Sequence, residues 1–315
     1  MTFLTRSLRV KAAVMLALIS LLLLSACGSS TGGSSGSGTT KVPIIVGSKL
    51  DLENQLLGQM YTLLLQHAGY NVTFKGALGQ TPTLASAIRS GAVSLYPEFT
   101  GTALNQVGAA SSYNPQTDYN TVKAAFEKQF QITWLDYSPL NDGYAICTSQ
   151  AESQKLGVTT LSQLAAKVSQ LTLATQSDGV TYIDLLKNTY GFSTSNFKAI
   201  KKVDYTIGFT AVQQGDAQMT ECYTTDGSVQ TKNFIFLQDD KHGFPEFHPA
   251  PIVRDDVLKS DPNIASTLNK LAPLLTTEVS ISLQNQVAKT KAGGTSSAEA
   301  VKEVATSFLK QNGLL

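Results

Sequence analysis

From Lys41 onward the chain switches repeatedly between two hydrophobic periods, and that alternation admits few architectures. Val42 to Val46 is a short apolar run ending at Gly47-Ser48-Lys49. Leu52 to His67 follows, with Leu52, Leu56, Met60, Leu63 and Leu64 on one helical face and Gly69 as a stop. Tyr70 to Phe74 alternates as a strand does. Thr81 to Ser90 reads as a helix with Thr81 as cap, Pro82 just inside and Gly91 just past the end. A buried strand then leads through Val93 and Leu95 into Tyr96. Consecutive β-α-β units predict an α/β fold with a mostly parallel sheet and helices on both faces.

The pivot of this half is Ser94-Leu95-Tyr96-Pro97-Glu98-Phe99-Thr100-Gly101-Thr102-Ala103. Pro97 has no N–H for a ladder, so the strand is expected to stop there or lie at an edge. Beyond it come a ring, a glycine and two hydroxyls at the carboxyl end of a strand, where open α/β sheets hold ligands. An ordinary strand-to-loop turn with one buried Phe fits the same residues.

Asp118 is placed to cap a helix running to Phe130, before strands at Ile132 to Leu135 and Tyr144 to Thr148. The alternation then restarts. Helices are expected near Thr160 to Val168, Thr181 to Thr189 and Ile207 to Gln214. Strands are expected at Leu171 to Ala174, Ala199 to Val203, Ala217 to Tyr223 and Phe234 to Leu237. From Asp255 the pattern is helical to the end, interrupted at Pro273 and at Ala292-Gly293-Gly294-Thr295. Two runs of alternation suit two domains of ordinary size.

Residues 1–26 read as a signal peptide: Arg6, Arg9 and Lys11 precede the apolar Ala12 to Leu24, short for a membrane span. Leu24-Ser25-Ala26-Cys27 resembles the bacterial lipobox, whose Cys is diacylated and becomes the new N-terminus. A plain signal peptide with a chance Cys is the alternative. The expectation is a lipoprotein lipidated at Cys27 and anchored on the extracytoplasmic face of the cell membrane. Residues 27–40 would then be a flexible Ser/Gly tether. Its Gly32-Gly33-Ser34-Ser35-Gly36 matches a hydrolase elbow in form only, lacking the strand before and the helix after.

Without residues 1–26 the formal charge falls from +1 to −2, with 21 basic against 23 acidic side chains. That balance gives no footprint for nucleic acid. Beyond Cys27 only Cys147 and Cys222 remain, and a leftover pair in an exported chain favours a disulfide. Two buried free thiols are the alternative.

Catalysis is poorly supplied. His67, His242 and His248 stand in no metal or nucleophile spacing, and no phosphate-binding or dinucleotide motif occurs. The expectation is a non-enzyme without metal or cofactor. Phe99, Tyr144, Tyr223 and Phe247, each at a strand end or turn, are the richer signal. A quaternary ammonium has no N–H to donate and is held by ring faces, each worth about 0.5–2 kcal/mol. Four rings reach about 2–8 kcal/mol, while a micromolar site needs about 8. A second, polar anchor is therefore expected. The same four rings also suit core positions at strand ends.

Seven strings occur in order: Gly47-Ser48-Lys49, Leu78-Gly79-Gln80-Thr81, Tyr96-Pro97-Glu98-Phe99-Thr100-Gly101-Thr102, Asn141-Asp142-Gly143-Tyr144-Ala145, Ser177-Asp178-Gly179, Tyr223-Thr224-Thr225-Asp226-Gly227 and Asp240-Lys241-His242-Gly243-Phe244-Pro245-Glu246-Phe247. Together they resemble the substrate-binding proteins of ABC importers for glycine betaine, choline, carnitine and related osmoprotectants. The resemblance covers nearly all of the mature chain. It implies a two-lobe periplasmic-binding-protein fold of type II, with two crossing segments and a ligand cleft. Lobe 1 would be residues 41–140 plus 248–315, and lobe 2 residues 144–247. The family's aromatic cage falls on Phe99, Tyr144, Tyr223 and Phe247, a backbone carbonyl near the cation on Asp142, and its carboxylate anchors on Lys49 and Thr102.

Departures from the family pattern bear on the ligand. Phe99 and Phe247 replace the usual Tyr, Asn54 stands where many relatives have Gln, and Ser94 replaces a common Asp. Gln176 stands where an Arg commonly precedes Asp-Gly, which weakens the case for a carboxylate and leaves room for choline or a larger quaternary or thiolated amine. Tyr182, in a short insertion, is a further candidate ring. The expected partners are a small quaternary amine and the membrane permease of an ABC importer, with the protein acting as a monomer. An ordinary amino acid or another small amphipathic amine is the alternative ligand.

Overall fold

The computed structural model describes residues 43–315, the Asp178 side chain excepted; residues 1–26, Cys27 and the tether lie outside the described residues. Each run of alternation builds its own five-stranded sheet. The first holds β1 (Ile44–Gly47), β2 (Val72–Lys75), β3 (Leu95–Phe99), β4 (Ile132–Trp134) and β10 (Pro249–Arg254), in the order β2-β1-β3-β10-β4. The second holds β5 (Tyr144–Ser149), β6 (Thr172–Thr175), β7 (Ala199–Lys202), β8 (Met219–Tyr223) and β9 (Phe234–Phe236), in the order β7-β6-β8-β5-β9. The two sheets are the bases of two lobes.

Neither sheet is mostly parallel, which corrects the sequence expectation. β1 runs parallel to β2 and β3, but β10 is antiparallel to β3 and β4. Likewise β6 runs parallel to β7 and β8, while β5 is antiparallel to β8 and β9. The reason is the path of the chain. β5 and β10 are each the first strand after the chain passes from one sheet to the other, so they enter from the opposite end.

The two passages lie side by side. Asp142 N donates to Phe247 O at 3.0 Å and Phe247 N to Asn141 Oδ1 at 2.8 Å. Next to them Thr100 N donates to His248 O, and His248 N to Thr100 Oγ1, both at 3.0 Å.

Pro97 lies inside β3 rather than ending it, and β3 is an interior strand. It stands opposite Pro251, and the two proline nitrogens point away from each other. Pro97 O turns outward to accept from Asn54 Nδ2 at 2.8 Å, and Pro251 O turns to Leu135 N at 3.0 Å. No ladder bond between these strands needs either missing N–H.

The Leu52–His67 helix forms as its periodicity predicts. Asp51 caps it, accepting from Asn54 N at 2.7 Å, and Leu56, Leu57, Met60, Leu64 and Leu65 are buried against the first sheet. The Thr277–Ala292 and Ser297–Gln311 helices add Leu283, Val287, Val301 and Leu309 to that core. Elsewhere local capping moves the expected bounds. Asn114, not Asp118, caps the Pro115–Phe130 helix, because Asp118 is engaged by Ser111 and Ser112. The helix expected from Thr181 begins at Ser177. Cys147 and Cys222, on neighbouring strands β5 and β8, are joined as a disulfide with Cα atoms 5.9 Å apart.

Candidate functional site

The parallel strands of both sheets run out toward one cleft of about 910 Å³. Lys49, Phe99, Thr102, Asp142, Tyr144, Gln176, Tyr223 and Phe247 all line it. Phe99 ends β3, Gln176 follows β6 and Tyr223 ends β8. Tyr144 begins the antiparallel β5, directly opposite Tyr223. Asp142 and Phe247 come from the two passages between sheets.

The rings converge on Tyr144. Tyr223 lies 5.1 Å from it between centroids and Phe247 lies 5.7 Å away, near edge-on. Tyr182 stacks on it at 3.9 Å and meets Phe247 edge-on at 5.5 Å. Burial pushes the Tyr144 phenol up, and takes that of Tyr223 to about 12, so both rings stay neutral at physiological pH. Phe247 rests over Gly101, where an added Cβ would come within 2.5 Å of the ring. The glycine in Thr100-Gly101-Thr102 therefore makes room for an aromatic face.

Tyr205 also lines the cleft and was not legible in the sequence. Its hydroxyl accepts from Tyr223 N at 3.2 Å and donates to Asp226 Oδ2 at 2.6 Å, which fixes the end of β8. Nothing in a Tyr opening a helix marks that role.

Lys49 reaches the cleft wall but commits its ammonium to Glu98 Oε1 at 2.5 Å, with Lys49 5% and Glu98 0% exposed. Glu98 further accepts from Phe99 N at 2.8 Å, Tyr96 Oη at 3.0 Å and Gln106 Nε2 at 2.9 Å. Asn54 holds this corner together, accepting from Lys49 N at 2.7 Å while it donates to β3.

Gln176 is engaged in the same way. Its Nε2 donates to Glu221 Oε1 at 2.9 Å and to Tyr223 Oη at 3.3 Å. Glu221 is buried and also accepts from Thr175 Oγ1 and Gln176 N. Gly179 permits this packing, since a Cβ there would lie 1.8 Å from Glu221 Oε2.

The polar end of the cleft holds Asp51, Glu53 and Asp142. Burial pushes Asp142 up to about 6, although Thr225 Oγ1 donates to it at 2.6 Å. Burial also raises Glu53, and the Asp142 charge raises it further. The sequence reading missed Glu53, because an acid in the first turn of a helix ordinarily faces water. Among the described residues no cluster of His, Cys, Asp and Glu is arranged to hold a metal ion. No helix among them is long and apolar enough to cross a membrane.

A two-lobe α/β fold with an aromatic cleft between its sheets defines an extracytoplasmic solute-binding protein. The chain belongs to the family described as the substrate binding domain of ABC-type glycine betaine transport systems, matched over residues 42–311. It is 29% identical over 284 residues to the glycine betaine-binding protein YehZ of Escherichia coli (strain K12), covering 86% of this chain and 91% of that one. It is 26% identical over 278 residues to the ergothioneine transport permease/ergothioneine binding protein EgtU of Helicobacter pylori (strain G27). That match covers 86% of this chain and 48% of the relative, so the chain spans about half of that protein's length. A solved glycine betaine/carnitine/choline ABC transporter structure shares the fold, with a TM-score of 0.72 at 22% identity, over 86% of this chain and 99% of the other. The protein is thus a substrate-binding protein of the ABC transport type.

Proposed function

We infer that the cleft captures a quaternary-ammonium solute on the rings of Phe99, Tyr144, Tyr223 and Phe247, with Tyr182 as a fifth, and hands it to a membrane permease. The observation that carries this is the convergence of Tyr182, Tyr223 and Phe247 on Tyr144, all within 5.7 Å between centroids. Such a cluster offers π faces to a cation that no hydrogen-bond acceptor can hold. Thr102, Asp142 and Gln176 line the remainder of the site, and Lys49 supports its wall. The lobes are residues 41–140 with 248–315, and residues 144–247. A binding role without catalysis fits a cleft built from rings and engaged polar groups.

Residues 1–26 serve as a lipoprotein signal peptide, Cys27 carries the lipid, and residues 27–40 tether a monomeric binding unit to the membrane. Retention of mature Cys27→Ala protein in the membrane fraction would contradict the anchor.

A thermal-shift screen of choline, glycine betaine, carnitine, ergothioneine and proline tests the ligand class. A ligand at 100 times its dissociation constant adds about 2.7 kcal/mol to stability. Stabilisation by quaternary amines and not by proline is expected; stabilisation by proline alone would favour the ordinary amino-acid reading.

A further inference from the structure

The acidic end of the cleft holds a buried acceptor that the protein itself does not satisfy. Glu53 is 5% exposed. Its Oε2 accepts from Ser280 Oγ at 2.5 Å and from Gln284 Nε2 at 3.3 Å. Its Oε1 is also enclosed and has no hydrogen-bond partner among the described residues. Thr225 is near, but its single hydroxyl hydrogen goes to Asp142 Oδ1 at 2.6 Å. Leaving a buried polar atom unmatched is costly, and native structures do it rarely.

Of the two lysines that line the cleft, one is paired with a carboxylate and the other packs on a ring. Lys49 is paired with Glu98, and Lys232 Nζ lies over the Phe209 ring at 4.5 Å from its centroid. Gln176 has given its amide hydrogens to Glu221 and Tyr223. A ligand carboxylate placed here would meet Asp51, Glu53 and Asp142, while Lys49 is already paired with Glu98.

We propose that Glu53 is the specificity-determining residue of the cleft, its Oε1 accepting a hydrogen bond from a hydroxyl or N–H at the far end of a quaternary cation that carries no carboxylate. The inference rests on the quaternary-amine reading and narrows it. The rings hold the ammonium, and Glu53 selects what lies at the other end.

Burial raises the carboxyls of both Glu53 and Asp142, and the Asp142 charge raises Glu53 further. The other charged groups facing the pair are Asp51, beside both, and Lys49 and Asp226, which act on Asp142. Ser280, Gln284 and Thr225, packed against it from other elements, are uncharged.

Isothermal titration of the mature protein with choline, glycine betaine and tetramethylammonium tests the proposal. Choline should bind more tightly than the other two. Glu53→Gln should weaken choline about tenfold or more, toward the tetramethylammonium level, and leave tetramethylammonium unchanged. The ranking of the three ligands is read on the unaltered protein, so it stands even if the variant folds poorly. Betaine binding more tightly than choline, or equal losses for choline and tetramethylammonium in Glu53→Gln, would overturn the proposal. Failure of all three to bind would overturn the quaternary-amine reading and this inference with it, whereas tetramethylammonium binding with no Glu53 effect would overturn the inference alone.

Discussion

Tyr182 stacks on Tyr144 at 3.9 Å between centroids and 18° between planes, and its hydroxyl accepts a hydrogen bond from Asn105 Nδ2 at 2.9 Å. Asn105 lies on the Thr100–Gln106 helix after β3, and Tyr182 on the Ser177–Asp184 helix after β6. The bond therefore runs from one lobe to the other across a ring that covers the cage. Asn105→Ala removes it without touching a ring. A net hydrogen bond is worth about 0.5–1.5 kcal/mol, so ligand release should speed up by about two- to tenfold in stopped-flow fluorescence. An unchanged release rate would mean that Tyr182 is held by packing alone.

Lys49 and Glu98 form a buried pair, so Lys49→Met should cost stability before it costs ligand selectivity. Removing one partner of such a pair typically costs about 3–5 kcal/mol. The three other donors to Glu98 place this case at the lower end, about 3 kcal/mol. Urea unfolding should show this loss, and Glu98→Gln in the same chain should recover part of it. Full stability with a selective loss of carboxylate-bearing ligands would return Lys49 to the role of ligand anchor that the family pattern suggests.

Asp142 gives a pH-dependent prediction. Its folded value is raised from the usual 3.8 to about 6 by burial, so the folded protein favours the protonated acid. That contribution is complete below about pH 3.8 and is lost as pH rises through about 6. Asp142→Asn mimics the protonated form and can still accept from Thr225. It should be more stable than the parent by on the order of 2–3 kcal/mol at pH 7.5, with the advantage vanishing near pH 4. Denaturant titrations at the two pH values test it; an equal effect at both would place the Asp142 charge in solvent.

Much of this arrangement was legible in the sequence because strands and helices carry distinct periods. The Leu52–His67 and Thr81–Ser90 helices were readable from their apolar faces and end signals, although Gln80, making no side-chain cap bond, stands at the cap of the second where Thr81 was expected. β10 was not, since Pro249 and Pro251 argue against an interior strand until the partner prolines are seen facing away. The Thr100–Gln106 helix was hidden in a stretch read as a ligand-binding turn. The ring positions were marked by aromatics at strand ends, but the engagement of Lys49 was not. It depends on Glu98, 49 residues away. Glu53 was invisible for the same reason, its partner Ser280 lying 227 residues downstream.

The central claim is that ring faces hold a quaternary ammonium, and Tyr223 tests it most directly. Calorimetric titration of tetramethylammonium into the parent protein, Tyr223→Ala and Tyr223→Phe isolates the cage from any far-end contact. Loss of one desolvated ring is worth about 2 kcal/mol, so Tyr223→Ala should weaken binding about tenfold or more. Tyr223→Phe keeps the π face and should bind within about threefold of the parent. Undiminished binding in Tyr223→Ala, or an equal loss in both variants, would contradict the aromatic cage.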